Sequence, residues 1–133
     1  MPFSLQVTPH QTYLHAVLNG EVSTPAARDA LANILDSAWD NRQPHVLIDW
    51  RQVTGLRTLS TTDRFDQATF LVGLVRQLRG KGLADIRIAQ VLPEFRTGAD
   101  DFSQTVAVNR GVAMRITADL TEALNWLGVQ SVP

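Results

Sequence analysis

Apolar and polar positions alternate in two short stretches near the start of the chain and then settle into helical periods separated by short apolar runs. Leu5-Gln6-Val7 alternates and is closed by the turn residues Pro9-His10-Gln11. Tyr13 to Leu18 is rich in β-forming residues and is ended by Asn19-Gly20, so the two stretches are expected to pair as a β-hairpin. Ser23-Thr24-Pro25 then offers a cap residue with proline at the start of a helix. In that helix Ala27, Ala30, Leu31, Ile34, Leu35 and Ala38 share one face, with Asp29, Asn33, Asp36 and Asp40 opposite. Asn41-Arg42-Gln43-Pro44 breaks the pattern, and His45 to Asp49 reads as a strand buried on both sides. A polar stretch from Arg51 to Thr62 leads to a second helix with a Ser60-x-x-Asp63 start. Its apolar face is Phe65, Ala68, Leu71, Val72, Val75 and Leu78, and Gly80-Lys81-Gly82 stops it. Ile86 to Leu92 is the next buried strand, followed by a helix capped by Asp100 or Asp101 that carries Phe102 and Val106 and ends before Gly111. Val112 to Ile116 is the last strand. Asp119-x-x-Glu122 has capping-box spacing for a final helix through Leu120, Ala123, Leu124 and Leu127, with Gly128 as its stop.

One strand followed by four βα units predicts an α/β fold: a mostly parallel mixed sheet with an N-terminal hairpin strand and helices packed on it. The chain's 133 residues fit a single domain spanning 1–133. Apolar residues at 44% and a net charge of −1 exclude a disordered chain. With no cysteine, disulfides, thiolate nucleophiles and cysteine-based zinc sites are excluded. No apolar run is long enough to span a membrane. The start Met1-Pro2-Phe3-Ser4-Leu5 lacks the pattern of a secretory signal, so the expected location is cytoplasmic. The basic charge is eleven arginines against the single Lys81, which reads either as guanidinium recognition of anions or as codon bias. Residues 42–96 are mildly basic, but their arginines are scattered without aromatic interleaving, so no nucleic-acid partner is expected.

Leu18-Asn19-Gly20-Glu21-Val22, a following helix and Val46-Leu47-Ile48-Asp49 together resemble STAS domains, the sulfate-transporter and anti-sigma-factor-antagonist modules. Arg87-Ile88-Ala89-Gln90-Val91, Asn109-Arg110-Gly111 and Asp119-x-x-Glu122-Ala123-x-x-Trp126-Leu127 are similar to elements of the small stand-alone SpoIIAA-like proteins of bacteria. The resemblance runs from about Leu5 to Leu127 and implies the SpoIIAA-like fold. It also implies a non-enzymatic regulatory module acting through protein–protein contacts, with a homodimer expected. Phosphorylatable STAS regulators carry Asp-Ser-x-Gly at the start of the second helix. Here Arg57 and Thr58 stand at the Asp and Ser positions and no glycine follows. Thr58, Ser60, Thr61 and Thr62 still place hydroxyls there, where they serve either as helix caps or as phosphate acceptors.

Catalysis requires a nucleophile, base or metal with a supporting partner. His15 and His45 are neighbours if their strands pair, but two histidines without a third ligand make a poor metal site. There is no nucleophile elbow, Walker loop or dinucleotide fingerprint. No enzyme activity, metal or cofactor is therefore expected. Ligands of open α/β sheets sit outside the carboxyl ends of the strands. That edge holds Asp49, Trp50 and Arg51 after one strand and Phe95 after another. Asp49 either contacts a ligand or bonds the following backbone and Arg51. Phe70 and Leu74 fall outside the apolar stripe of the second helix, so an exposed partner surface or apolar-ligand site is expected there. The candidate surface is thus Asp49, Trp50, Arg51, Thr58, Ser60, Phe70, Leu74 and Phe95. The alternative function is a carrier or sensor of a small apolar or anionic, lipid-like ligand.

Overall fold

The computed structural model describes residues 3–94 and 99–128. Strands β1 (Ser4–Pro9) and β2 (Leu14–Glu21) form the antiparallel hairpin, and β3 (His45–Thr54), β4 (Arg87–Val91) and β5 (Ala113–Thr117) add parallel strands. Their spatial order is β1-β2-β3-β4-β5, the order of the chain. When each parallel crossover steps to the next strand in the same right-handed sense, the connecting helices fall on one face. Accordingly α1 (Thr24–Asp40), α2 (Thr61–Lys81) and α3 (Ala99–Asn109) cover one side, while α4 (Leu120–Leu127), with no strand to follow, packs on the other. The large core joins Leu14, Ala16 and Leu18 of β2 with Val46, Ile48 and Trp50 of β3 and with the helices α1, α2 and α3. A smaller core joins Leu47, Ala89 and Val91 to Ala123 and Leu127 of α4.

Local chemistry sets the helix ends. Ser23 Oγ accepts the Ala26 N–H at 3.3 Å. Ser60 and Asp63 form a reciprocal capping box, with bonds of 3.0 and 3.1 Å. Gly82 and Gly128 close α2 and α4 in the left-handed region, which favours glycine. The α1 face is buried at all six expected positions. No described helix is long and apolar enough to cross a membrane.

Several expectations are corrected by tertiary pairing. Asn19-Gly20 is not a turn, because β2 continues to Glu21 beside the long β3, with a register shift between Val17 and Asn19. The strand expected to stop at Asp49 runs to Thr54, since β2 keeps pairing with it after β4 ends. α3 already begins at Ala99, so neither Asp100 nor Asp101 is its cap. Asp119 does cap α4, but Glu122 bonds Arg115 and Thr117 instead of the Asp119 backbone, whose N–H goes to Thr117 Oγ1 at 3.1 Å.

Candidate functional site

The carboxyl ends of β3 and β4, the β3–α2 connection and the first turns of α2 enclose two adjoining cavities on the three-helix side of the sheet. The connection is compact: Gly55 turns the chain at φ +87°, a short 3₁₀ turn covers Leu56–Thr58, and Ser60 caps α2. The outer cavity, about 310 Å³, lies between Val53 to Arg57 and Leu92 to Glu94, with Arg64 at its inner end. An Arg57–Glu94 ion pair bridges its two walls. The inner cavity, about 60 Å³, lies between α2 and the sheet, walled by Trp50, Leu71, Met114 and Ile116. Leu56, Arg64 and Leu92 border both spaces.

Polar groups reach the inner chamber from two sides. Gln90 on β4 is held by the Trp50 indole, whose Nε1–H donates to its Oε1 at 2.9 Å, and its amide contacts Met114 Sδ at 3.5 Å. Arg64 and Gln67 are one turn apart on α2 and so share a face. Arg64 donates to the Leu56 carbonyl at 3.3 Å, which joins the connection to the helix. Gln67 Nε2 is buried and has no hydrogen-bond acceptor among the described residues. A buried amide left unpaired costs about 1–3 kcal/mol, so this group is an open demand for an acceptor.

The sequence candidates are divided by the sheet. Successive strand residues point to opposite faces. Trp50 therefore enters the cavity side, while Asp49 and Arg51 lie on the α4 side. Asp49 is buried at 4% exposure and accepts the Arg51 backbone N–H at 3.0 Å and its guanidinium at 2.8 to 3.2 Å. Burial opposes ionisation of Asp49, but these bonds and the Arg51 charge outweigh it and hold the carboxyl below its ordinary value. These are the backbone and Arg51 bonds of the structural alternative. Thr58 Oγ1 donates to the Gly55 carbonyl and Ser60 is the α2 cap; both are exposed beside the cavity mouth. Phe95 lies outside the described residues.

Phe70 and Leu74 are not exposed, contrary to expectation: both are half-buried, packed against the large core. Over Phe70 part of the cover comes from α1, whose Arg28 guanidinium carbon sits 5.4 Å from the ring centre. A helix flanked by two others needs apolar residues on more than one face, which is why these two left the single stripe. The exposed large apolar groups among the described residues are instead Phe102 and Val108 of α3. Phe65, expected in the buried stripe, is only half-buried and faces Phe102 at 6.2 Å between ring centres. The strands of His15 and His45 do pair, with His15 two positions out of register from His45. His15 pairs with Leu47 and lies among His10 and Tyr13, with ring centres 6.2 and 6.0 Å away, whereas His45 Nε2 lies 3.8 Å from Asp85. Among the described residues no three His, Asp or Glu converge as a metal site.

No protein-family model matches the sequence, and no curated protein sequence does. A solved structure does: the crystal structure of an anti-sigma factor antagonist from Mycobacterium paratuberculosis superposes with a TM-score of 0.56 over 96% of this chain and 95% of that one, at 15% identity. This is the SpoIIAA-like, or STAS, fold.

Phe65 follows Arg64 in α2, so the Phe65–Phe102 pair adjoins the residue that borders both cavities. Arg110 reinforces the pair, its guanidinium carbon 5.5 Å from the Phe65 ring centre. Sequence reading found the α2 cap but missed Arg64, Gln67 and the aromatic pair. The available signal was the spacing of Arg64, Gln67 and Leu71, which puts two polar groups on the same helical face as a core leucine.

Proposed function

We propose that this chain is a non-enzymatic STAS-type regulatory module, one domain over 1–133, that acts in the cytoplasm by binding a protein partner. The observation that carries the reading is the half-exposed Phe65–Phe102 pair beside the capped start of α2. Apolar rings held at a surface beside polar helix-end groups have the composition of an interaction patch: an aromatic centre with a polar rim. The STAS fold of an anti-sigma factor antagonist supports the same reading. Asp49 and Glu122, whose carboxyls are both held below their ordinary values, are engaged by Arg51 and Arg115 and so do structural work.

The proposal includes self-association as a homodimer. Light scattering after size exclusion, on wild type and on Phe65→Asp with Phe102→Asp, tests both parts. A dimer that dissociates in the double variant places the self-contact at this patch. A wild-type monomer removes the homodimer, and a monomer that also captures no partner protein removes the interaction reading. The expected alternative, a small-ligand carrier or sensor, is favoured by one observation, the roughly 310 Å³ cavity at the carboxyl edge of the sheet. Native mass spectrometry of the purified protein tests it through a co-purified mass.

A further inference from the structure

The three-helix layer carries opposite charges on its two flanks. Each of its helices joins two parallel strands and runs back against them, so α1, α2 and α3 are parallel, with α2 in the middle. On α1, Asp29, Asp36 and Asp40 stand exposed on the face away from the sheet, in one stripe with Asn33. On the other flank, Arg76 and Arg79 of α2 reach across to the end of α3. They donate to the Arg110 carbonyl at 3.2 Å and the Gly111 carbonyl at 2.6 Å, and Arg110 donates to the Val106 carbonyl at 3.3 Å. Among the described residues none of these three arginines pairs with a carboxylate, and none of the three aspartates pairs with a cation. The two patches are level with each other. Arg28 lies by Phe70 and Trp39 by Lys81, so positions 28–39 of α1 run beside 70–81 of α2, and Asp36 stands level with Arg76 and Arg79. Inside one chain α2 keeps the patches apart by about two helix spacings, roughly 16–20 Å.

We propose that a second copy of this chain docks on this layer about a two-fold axis parallel to α2, so that α1 of each copy lies along the α2–α3 seam of the other. A half-turn about that axis exchanges the flanks and keeps position along the helices. Asp36 and Asp40 of one copy then meet Arg76, Arg79 and Arg110 of the other, twice over. Within the chain these arginines bond neutral carbonyls, which leaves their charge and further guanidinium donors for carboxylates. The central contact is α2 against α2, along the exposed Thr69 and Gly73. A Cβ at Gly73 would meet nothing within 4 Å, so no contact inside the chain requires glycine there. Mid-helix glycine costs about 1 kcal/mol relative to alanine, and a closely packed second α2 gives it a use. The Phe65–Phe102 pair, at the other end of the same seam, is covered in the same contact. The inference rests on the homodimer reading above and gives that dimer its surface.

Charge reversal on the full chain tests it. One variant carries Asp36→Arg with Asp40→Arg, the other Arg76→Asp with Arg79→Asp; all four side chains are exposed, and circular dichroism checks that each variant folds. Light scattering after size exclusion at low salt is expected to show a wild-type dimer. Each variant alone is expected to self-associate at least about tenfold more weakly. An equimolar mixture of the two is expected to dimerise again, because both contacts of the mixed pair join opposite charges. Raising NaCl from about 0.05 to about 0.5 M is expected to dissociate the wild type. A wild-type dimer that both variants retain, or dissociated variants that mixing does not restore, overturns this interface and leaves the homodimer reading standing. A wild-type dimer indifferent to salt does the same, and this arm holds even if a variant fails to fold. A wild-type monomer at chain concentrations up to about 1 mM overturns both.

Discussion

Asp49→Asn tests the assignment of Asp49 to structure. The carboxylate accepts one backbone N–H and three guanidinium contacts from Arg51. Asparagine keeps the shape and an acceptor for the backbone N–H, but its amide hydrogens face the guanidinium, donor against donor. A hydrogen bond to a charged group contributes about 1.5–3 kcal/mol. The Arg51 side chain is 41% exposed, so water screens part of this and about 1–2 kcal/mol of destabilisation is expected. For a chain of this size that lowers the thermal midpoint by roughly 3–8 °C. The pH dependence follows from linkage. The folded carboxyl is held below its ordinary value, so the unfolded chain takes up the proton first as pH falls. The stabilisation is complete above the ordinary carboxyl pKa of about 4 and is lost as pH drops through the lowered folded value. Urea denaturation followed by circular dichroism between pH 7 and pH 2.5 measures it. The two proteins are expected to differ by about 1–2 kcal/mol at neutral pH and to converge below pH 4. No difference at pH 7, or a gap that persists undiminished in acid, refutes the structural assignment.

Ser60→Ala removes the α2 capping box and is expected to cost about 1 kcal/mol, whereas Ser60→Gly costs a few tenths; equal denaturation midpoints for wild type and the alanine variant would contradict the capping role. Burial lowers the His15 pKa, Asp49 partly reverses this, and His10 and Arg51 lower it further. The folded state therefore resists protonation that the unfolded chain accepts, and stability falls as pH drops from about 6.5 toward the lowered folded value. His15→Gln is expected to flatten that part of the stability–pH profile; an unchanged slope assigns it to other groups.

The sequence by itself determined the elements and much of their chemistry. The six apolar positions of α1 are the six that are buried, because a helix lying on a sheet by one face must repeat its apolar residues at the helical period. Ser23, Ser60 and Asp119 cap, and Gly82 and Gly128 stop, because helix ends expose backbone groups that only a few residue types satisfy. The βα order legislated a parallel sheet through the handedness of its crossovers. Tertiary structure decided what periodicity does not encode, namely which neighbour covers an apolar side chain. Phe70 and Leu74 look surplus on a wheel and pack against the large core, Phe70 beneath Arg28 of α1, while Phe65 looks like core and stands half-open beside Phe102. Strand length was likewise decided by partners: Asp49 looks terminal in sequence, but β2 carries β3 five residues further, to Thr54. The cavity is the clearest case. Arg64 and Gln67 come from α2, Trp50 from β3, Gln90 from β4 and Leu92 from beyond it, and they enclose a common space only after the sheet orders those strands and α2 returns across them.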